Sequence, residues 1–349
     1  MSATTGVGEH ELTITPFDGP LAEAHARFAH RMWPTKRRRR EERFNRWKFR
    51  GPERGPVPGL LLAVVDGAVV GQCGLIPATL AVDGKVVACQ WVCDIMVDPV
   101  ARRRRVASRL LESAMSRGMV TLGHNPSPAA DVTMQRVGFE SFRGPAIAVL
   151  PLDPSHVVSW KLPARLQGLS PVIGAALRPV LARRSRSLDD SKRPPAERAE
   201  ATGWRDIAPR VRDHQSRLEG PYIVHDDAFL SWRCAGLTGF VEPLSALRAG
   251  RTGYAIVGQG GPYLYVFDWG AENAEEFIRL FSAVRTMALA VGAKTVEAYA
   301  DTGEQLAWLR DSGFFVMRRP CQILCHPGST FRPKYARMNY SIFDSDGNL

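Results

Sequence analysis

Residues 59–99 constrain the fold most, because two Asp-Gly pairs divide one long apolar stretch into three segments. The stretch reads GLLLAVVDGAVVGQCGLIPATLAVDGKVVACQWVCDIMVDP, and its Asp-Gly pairs lie at residues 66–67 and 83–84. Asp-Gly between apolar runs is a strong signal for a tight hairpin turn. The sequence therefore predicts an antiparallel meander of three strands that ends at Pro99.

A basic loop and then a helix are predicted directly after the meander. Residues 102–105 are four consecutive arginines, and apolar residues recur at helical spacing from Val106 to Met115 before a stop at Gly118. The first N–H groups of a helix have no partner within the helix, and the helix dipole adds positive potential there. A strand, a basic loop and a helix in this order can bind phosphate.

The same order of elements recurs in the second half of the chain. FNRWK at residues 44–48 is echoed by FLSWR at residues 229–233, and MQRVGF at residues 134–139 is echoed by LRDSGF at residues 309–314. In both halves strands, a helix, a strand and a second helix lie between the echoes. The sequence therefore predicts a duplicated unit.

Length and composition fit two folded domains. The chain has 349 residues, of which 45% are hydrophobic and 23% are charged, so it can bury a large core. We predict domains at residues 1–152 and 204–349, joined by a helical connector and a charged linker at residues 153–203. No run approaches the roughly 20 apolar residues that span a bilayer, and the N-terminus lacks a signal-peptide pattern. We therefore expect a cytoplasmic protein without a membrane span.

Cysteine spacing and net charge bear on the partners of the chain. Cys321, Cys325 and His326 lie close in sequence, but no second ligand pair follows at zinc-finger spacing, so we expect no metal. The net charge of +11 favours an anionic partner. The basic, aromatic run at residues 36–50 could contact nucleic acid, but its glutamates and helical spacing favour a solvated helix with Phe44 and Trp47 facing inward. The sequence thus disfavours a nucleic-acid partner.

Residues 97–111 resemble motif A of the GNAT superfamily of acyl-CoA-dependent N-acyltransferases. In that motif a strand ends in V-x-P, and Arg or Gln, two residues, Gly, one residue and then Gly or Ala follow. The matching residues here are Val97, Pro99, Arg102 and Ala107. Arg105 stands where the family has its first Gly, and Met134 stands where the closing motif of the family has a tyrosine that protonates the leaving thiolate.

The resemblance implies an α/β (α+β) fold of two tandem GNAT-like domains, each a mixed, mostly antiparallel twisted sheet flanked by helices. The second domain lacks the V-x-P and the arginine loop, so it resembles a degenerate GNAT domain. Acetyl-CoA is the implied acyl donor, with backbone N–H groups at the end of the third meander strand polarising its carbonyl. The implied cofactor contacts are Ile95, Met96, Val97, Arg102, Arg103, Arg104, Arg105, Val106, Ala107 and Asn125.

Two residues are candidate catalytic bases. Asp94 interrupts the apolar strand WVCDIMV, where it could accept a proton from an amine or could be a structural carboxylate paired with an arginine. His124 flanks Asn125, and it could be a base with an ordinary pKa near neutrality or a surface histidine at a helix entry. Cys93 is interpreted as a core residue.

The leading hypothesis is an acyl-CoA-dependent N-acyltransferase that transfers an acyl group directly to an amine of a small molecule, an amino sugar or a peptide. Arg105 and Met134 motivate a second hypothesis, a non-catalytic GNAT-like binding or assembly module. A nucleic-acid-associated protein or an aminoacyl-tRNA-dependent transferase is the third. The sequence leaves a homo-oligomer open.

Overall fold

The computed structural model describes residues 11–51, 59–189, 198–236, 244–328 and 337–344. Backbone contacts divide the chain into two compact units. The first unit consists of Met1–Thr79, Val87–Ser141 and Ile323–Lys334, and the second of Leu80–Val86, Phe142–Gln322 and Tyr335–Leu349. These units are not two continuous halves, so the domain boundaries predicted at residues 152 and 203 stay a prediction.

The first half of the chain alternates strands and helices in the predicted order. Its strands are β1 (Thr13–Pro16), β2 (Leu60–Val65), β3 (Ala68–Val82), β4 (Lys85–Val97), β5 (Val120–His124), β6 (Glu140–Arg143) and β7 (Ala146–Pro151). Its helices are α1 (Ala22–Met32), α2 (Arg37–Arg40), α3 (Glu42–Arg50), α4 (Val106–Met115), α5 (Pro128–Arg136), α6 (Pro154–Lys161) and α7 (Ser170–Arg184). A 3-10 helix, Pro99–Arg104, connects β4 to α4.

The second half repeats this order with different lengths. Its strands are β8 (Glu200–Thr202), β9 (Tyr222–Ile223), β10 (Ser245–Ala249), β11 (Gly253–Gly260), β12 (Tyr263–Gly270), β13 (Thr295–Ala300), β14 (Phe315–Val316) and β15 (Gln322–His326). Its helices are α8 (Trp204–Ser216), α9 (Asp227–Ala235), α10 (Ala274–Ala290) and α11 (Gly303–Asp311). Of the predicted linker, residues 190–197 lie outside the described residues.

The predicted meander is confirmed, and its two turns have the expected backbone. Asp66 and Gly67 have φ angles of 50° and 73°, and Asp83 and Gly84 have φ angles of 49° and 70°. Both central residues of a type I′ turn need positive φ, and Asp-Gly supplies it at low cost. The strands β2, β3 and β4 are therefore neighbours in one sheet.

Each sheet contains strands from both halves of the chain, and in the first sheet the short strand β9 also pairs with β3. The first sheet has the order β1-β2-β3-β4-β5-β15-β6, and β15 pairs antiparallel with β5, with Leu324 opposite Gly123. The second sheet has the order β14-β7-β13-β12-β11-β10-β8, and β7 pairs antiparallel with β13, with Val149 opposite Glu297. Neither half of the chain therefore builds its sheet alone.

Each unit has its own apolar core under a helix. In the first unit α4 buries Val106, Leu110, Leu111 and Ala114, the face that the spacing predicts. In the second unit α10 buries Phe277, Leu280, Phe281 and Val284 against its strands. Full burial of each such large side chain contributes about 1.5–3 kcal/mol. Each of these two helices thus packs its apolar side chains into the core beside one of the sheets.

The predicted α/β (α+β) class with two mixed sheets flanked by helices is confirmed. Both sheets combine antiparallel pairs with a parallel pair, β4 with β5 in the first and β12 with β13 in the second. The echoed motifs also end alike, since Gly138 and Gly313 have φ angles of 97° and 93°. Within the ranges that the structure describes, no helix is long and apolar enough to cross a membrane.

Candidate active site

The parallel strands β4 and β5 are paired over only part of the length of β4. Pairing joins Cys89–Val92 to Val120–Gly123, after which β5 ends at His124 while β4 continues to Val97. Asp94 interrupts β4 with a φ of 47°, a left-handed conformation that Asp tolerates. Such irregularities re-aim a strand and are common beside active sites. We call the edge of the sheet beyond the last β4–β5 pair, which the half-buried residues 95–97 border, the opening.

The arginine loop follows this opening. The carboxylate of Asp98 accepts a hydrogen bond of 3.2 Å from the N–H of Val100 and so starts the 3-10 helix Pro99–Arg104. Arg105 then has φ 55° and ψ 26°, and α4 begins at the next residue. This left-handed conformation costs a residue with a side chain about 1–2 kcal/mol. Arg105 thus adopts the backbone that Gly adopts freely at the same place in the GNAT motif.

The loop combines two features that attract phosphate. The side chains of residues 102–105 are exposed, and Arg105 forms a weak ion pair, 3.5 Å from Glu112. The N–H groups of Val106 and Ala107 lie in the first turn of α4, at the positive end of its dipole. Guanidinium groups and a helix N-terminus can both bind phosphate oxygens. The predicted contacts at residues 102–107 therefore lie together at one helix end.

Asp94 makes two ion pairs in the first unit. Its Oδ2 lies 2.5 Å from the Nζ of Lys48 on α3, and its Oδ1 accepts a hydrogen bond from Arg39. The Lys48 side chain is fully buried, and that of Asp94 is 4% exposed. Phe44 is buried as predicted, whereas Trp47 is only half-buried. Both carboxylate oxygens are engaged, which is the structural alternative that the sequence left open for Asp94.

The other candidate base lies across the opening. His124 ends β5 and is half-buried, with Ile323 opposite it on β15. Asn125 follows with a φ of 40°, and Ser127 then caps α5 through the N–H of Ala130 at 3.4 Å. The structure thus brings the ends of β4 and β5, with the predicted residues 94–97 and 124–125, to the same edge of the sheet. Their roles stay predictions.

Met134 and Cys93 belong to the core. Met134 is 2% exposed, and a Cβ on Gly123 of β5 would collide with its Cε. The side chain therefore packs behind β5. Cys93 is buried as well, in agreement with its interpretation from sequence.

Two polar residues of this region were missed by the sequence analysis. His25 on α1 is 6% exposed, and its Nε2 lies 3.0 Å from the Oε1 of Gln72 on β3. The Nε2 of Gln72 donates to the backbone oxygen of Asp94 at 3.4 Å. The sequence feature that could have indicated this contact is Gln72, because it is a polar residue inside an apolar strand. Within the described ranges no group of His, Cys, Asp or Glu side chains could hold a metal ion.

Part of the first unit matches a known protein family. Residues 24–119 match the sequence profile described as "Acetyltransferase (GNAT) domain". Residues 24–119 form a GNAT domain. The match includes Asp94 and the arginine loop and ends before His124. A search of curated proteins gives no match.

Solved structures share the fold of this chain, both within residues 24–119 and beyond them. A GCN5-related N-acetyltransferase from Kribbella flavida is 16% identical, with a TM-score of 0.58 over 90% of this chain and 70% of that one. One from Anabaena variabilis is 12% identical, with a TM-score of 0.59 over 90% and 72%. A putative acetyltransferase from Pyrococcus horikoshii is 13% identical, with a TM-score of 0.54 over 96% and 95%. At these identities the likeness shows the fold.

The second unit differs from the GNAT domain at the corresponding helix start. The Oδ1 of Asn273 caps α10 by accepting a hydrogen bond of 2.9 Å from the N–H of Glu276. The carboxylate of Glu276 in turn accepts hydrogen bonds from the backbone N–H groups of Arg251, Thr252 and Glu272. A carboxylate of the chain itself therefore accepts the hydrogen bonds of backbone N–H groups beside the positively polarised start of α10.

A buried carboxylate of the second unit corresponds to Asp94. Asp268 Oδ2 lies 2.9 Å from the Nδ1 of His225, whose Nε2 lies 2.5 Å from the Oδ1 of Asp344. Burial alone would lower the pKa of His225, but the negative charges of Asp344 and Asp268 outweigh it and raise that pKa to about 9. His225 is therefore an imidazolium at neutral pH, held between two carboxylates.

Proposed function

We propose that this chain is an acyl-CoA-dependent N-acyltransferase that transfers an acyl group, in the first instance acetyl, directly to an amine. The observation that carries the proposal is the opening between β4 and β5 with a basic helix start at its end. Amide formation from a thioester needs mainly positioning of the amine and stabilisation of the developing oxyanion. Small amines, amino sugars and peptide amines are the acceptor classes.

Each part of the opening has a distinct task in this proposal. The N–H groups of residues 95–97 polarise the thioester carbonyl, and Asn125 contacts the pantetheine arm. Residues 102–107 bind the pyrophosphate through backbone N–H groups and guanidinium groups. The ion pairs of Asp94 with Lys48 and Arg39 favour a positioning role for this carboxylate, which fixes α3 against β4. His124 remains a candidate base.

In the same proposal the second unit is a degenerate GNAT domain without a cofactor site. The engagement of Glu276 at the start of α10 supports it, because a carboxylate repels a phosphate there. The expected stoichiometry is one acyl-CoA for each chain.

Calorimetric titration of acetyl-CoA into the full chain tests the proposal. The informative variant is Arg102→Ala with Arg105→Ala, and the control is Arg136→Ala with Arg205→Ala, which removes two exposed charges elsewhere. We expect binding by the unaltered protein and by the control, and binding at least about tenfold weaker in the loop variant. The absence of binding by the unaltered protein, or equal weakening in both variants, would overturn the proposal.

One observation favours a second candidate, a GNAT-like binding module. A methionine has no proton to donate, and Met134 is buried behind β5, so this position supplies no proton donor where the family has its tyrosine. A module of this kind binds acetyl-CoA but releases no thiol with any amine. Thiol release with a panel of amines distinguishes it from the enzyme.

A further inference from the structure

The helix α7 and the short 3-10 helix before it, Ala164–Leu169, expose a cluster of large apolar side chains. Its members are Leu166, Leu169, Val172, Ile173, Leu177 and Val180. In the rest of the described chain only seven other large apolar side chains are exposed, so these six are a concentration and not ordinary scatter. The four members in α7 recur at the spacing that places them on one side of a helix. We call these six side chains the apolar face.

The protein itself contacts a different side of α7. Ser170 and Gly174, one turn apart, are the buried residues of this helix, and a Cβ on Gly174 would collide with the backbone of Ser155 on α6. Near the other end, a Cβ on Gly313 would lie 3.1 Å from the backbone nitrogen of Ser185. Small residues therefore face the second unit while the large apolar residues face outward, which is the reverse of an ordinary surface helix.

The apolar surface continues beyond α7. The edge strand β14 lies beside the end of this helix, where the guanidinium of Arg184 is 4.6 Å from the centre of the Phe315 ring. Phe315 and Met317 are exposed as well. Single apolar residues on a surface need no explanation, but contiguous apolar patches mark sites of contact with proteins or membranes. The apolar face is therefore a candidate interaction surface.

The charge around the apolar face has one sign. Residues 162–188 include no Asp or Glu. They include five arginines, all exposed: Arg165, Arg178, Arg183, Arg184 and Arg186. Basic residues beside exposed aliphatic side chains are typical of helices that lie in the interface of an anionic membrane. An arginine there rests its aliphatic stem on apolar surface and keeps its guanidinium at the level of the headgroups.

The same charges argue against two other partners. A symmetric contact between two copies of the chain places the same surface of both copies face to face. Arginines would then approach arginines with no carboxylate from residues 162–188 between them, which is unfavourable. Nucleic acid would pair with the arginines through its phosphates but offers nothing comparable to the aliphatic side chains. The acyl chains and anionic headgroups of a bilayer match both components.

We propose that the apolar face binds the surface of an anionic membrane, with its aliphatic side chains among the acyl chains and its arginines at the phosphate headgroups. The helix α7 has 15 residues, fewer than the roughly 20 that span a bilayer, so it lies in the interface and does not cross it. Because α7 belongs to the second unit, this contact does not depend on acyl-CoA binding at the arginine loop of the first.

Sedimentation of the full chain with lipid vesicles tests the partner. One set of vesicles is phosphatidylcholine alone, and the other contains equal parts of phosphatidylcholine and phosphatidylglycerol. We expect binding to the anionic vesicles to be at least about tenfold tighter than to the neutral ones, and to weaken as the salt concentration rises. No binding to either set, or equal binding to both, would overturn the inference.

Two matched pairs of valines test the surface. Val172 and Val180 of the apolar face are 70% and 56% exposed, and Val86 and Val132, elsewhere on the protein, are 66% and 49% exposed. Replacing either pair by serine removes the same apolar groups and should leave the thermal midpoint nearly unchanged. We expect Val172→Ser with Val180→Ser to weaken binding to anionic vesicles at least about tenfold, and the other pair to leave it unchanged. Equal effects of the two pairs would overturn the inference.

A second set of variants tests the charge. Arg183→Gln with Arg184→Gln removes two charges at the end of the apolar face, and Arg136→Gln with Arg205→Gln removes two exposed charges elsewhere. Both variants lower the net charge equally. We expect about tenfold weaker binding to anionic vesicles in the first variant and little change in the second. Equal weakening would show that the net charge of the protein, and not this surface, attracts the vesicles.

A fluorescent probe on α7 reports the contact directly. All six cysteines of the chain are buried, so a cysteine introduced by Val180→Cys can be labelled selectively with an environment-sensitive fluorophore. We expect its emission to shift to the blue with anionic vesicles, and the same label at Val86→Cys to show no shift. A blue shift at position 180 that grows with protein concentration in the absence of lipid would mean that a second copy of the chain covers the face, and would overturn the inference.

Discussion

Asp94 and Asp268 occupy the same position in two sheets. Cys89 of β4 lies opposite Val120, the first residue of β5, and Asp94 follows five residues later. Tyr263 of β12 lies opposite Thr295, the first residue of β13, and Asp268 follows five residues later. Both carboxylates bind a buried cationic partner near an F-x-x-W helix. This shared register supports the duplication that the echoed motifs predict.

The first prediction concerns the ion pair between Lys48 and Asp94. Asp94→Asn keeps a residue that tolerates positive φ but leaves a fully buried ammonium without its charge partner. Removing one member of a buried pair costs about 3–5 kcal/mol. We expect the thermal midpoint of the first unit to fall by several degrees, measured by differential scanning calorimetry.

Two further variants test whether the unpaired buried charge causes this loss of stability. Glu112→Gln breaks an ion pair in which both side chains are exposed, so it should change stability by about 1 kcal/mol or less. Lys48→Met combined with Asp94→Asn removes the buried charge together with its partner. If that double variant is no more stable than Asp94→Asn alone, the buried charge is not the cause of the loss.

The second prediction concerns the backbone of Arg105. Gly adopts φ 55° freely and Ala does not, so Arg105→Gly should be more stable than Arg105→Ala by about 1 kcal/mol. Both variants lose the guanidinium. Any difference between their affinities for acetyl-CoA therefore reports the loop conformation, and chemical denaturation with calorimetric titration measures the two effects. Equal stability would indicate that the loop relaxes away from the left-handed conformation.

The third prediction is a pH dependence of the second unit. The pKa of His225 is about 9 in the folded chain and near its ordinary value of 6.5 in the unfolded chain. Its charge therefore contributes stability that is fully present below about pH 6.5 and is lost as the pH rises through about 9. Thermal midpoints across this range should fall more steeply for the unaltered protein than for His225→Gln. His30→Gln, an exposed control, should follow the unaltered protein, and parallel curves for all three would contradict the prediction.

The fourth prediction concerns Met134. Because its side chain packs against Gly123 behind β5, Met134→Tyr should overpack the core and cost about 1–3 kcal/mol without raising the rate of thiol release. Met134→Leu conserves volume and should cost less than about 1.5 kcal/mol. Thermal denaturation and a thiol-release assay check both. A faster Met134→Tyr enzyme would show that this position reaches the acyl group after all.

Local signals explain why much of the fold was predictable. The Asp-Gly pairs carry their own preference for positive φ, and the apolar face of α4 follows from residue spacing alone. The sequence also predicted the arginine loop and both strand ends that border the opening. These features depend on residues close together in the chain.

Long-range pairing explains what was missed. The contact between His25 and Gln72 joins residues 47 positions apart, and no local pattern indicates it. The sequence analysis did not predict that β7 and β15 pair with strands from the other half of the chain, because pairing between distant residues leaves no local pattern. The burial of Lys48 was missed for a similar reason, since a lysine is predicted to face solvent unless its carboxylate partner is known.

The place of β15 has a consequence for synthesis of the chain on the ribosome. Ile323 and Leu324 lie between β5 and β6, so the sheet whose strand β4 leads into the arginine loop lacks an internal strand until residues 322–326 have emerged. Until then β5 presents an open edge, which is a template for pairing with other nascent chains. The first sheet therefore cannot be completed before β15 has been synthesised, and a chain truncated after its first half would leave the edge of β5 bare.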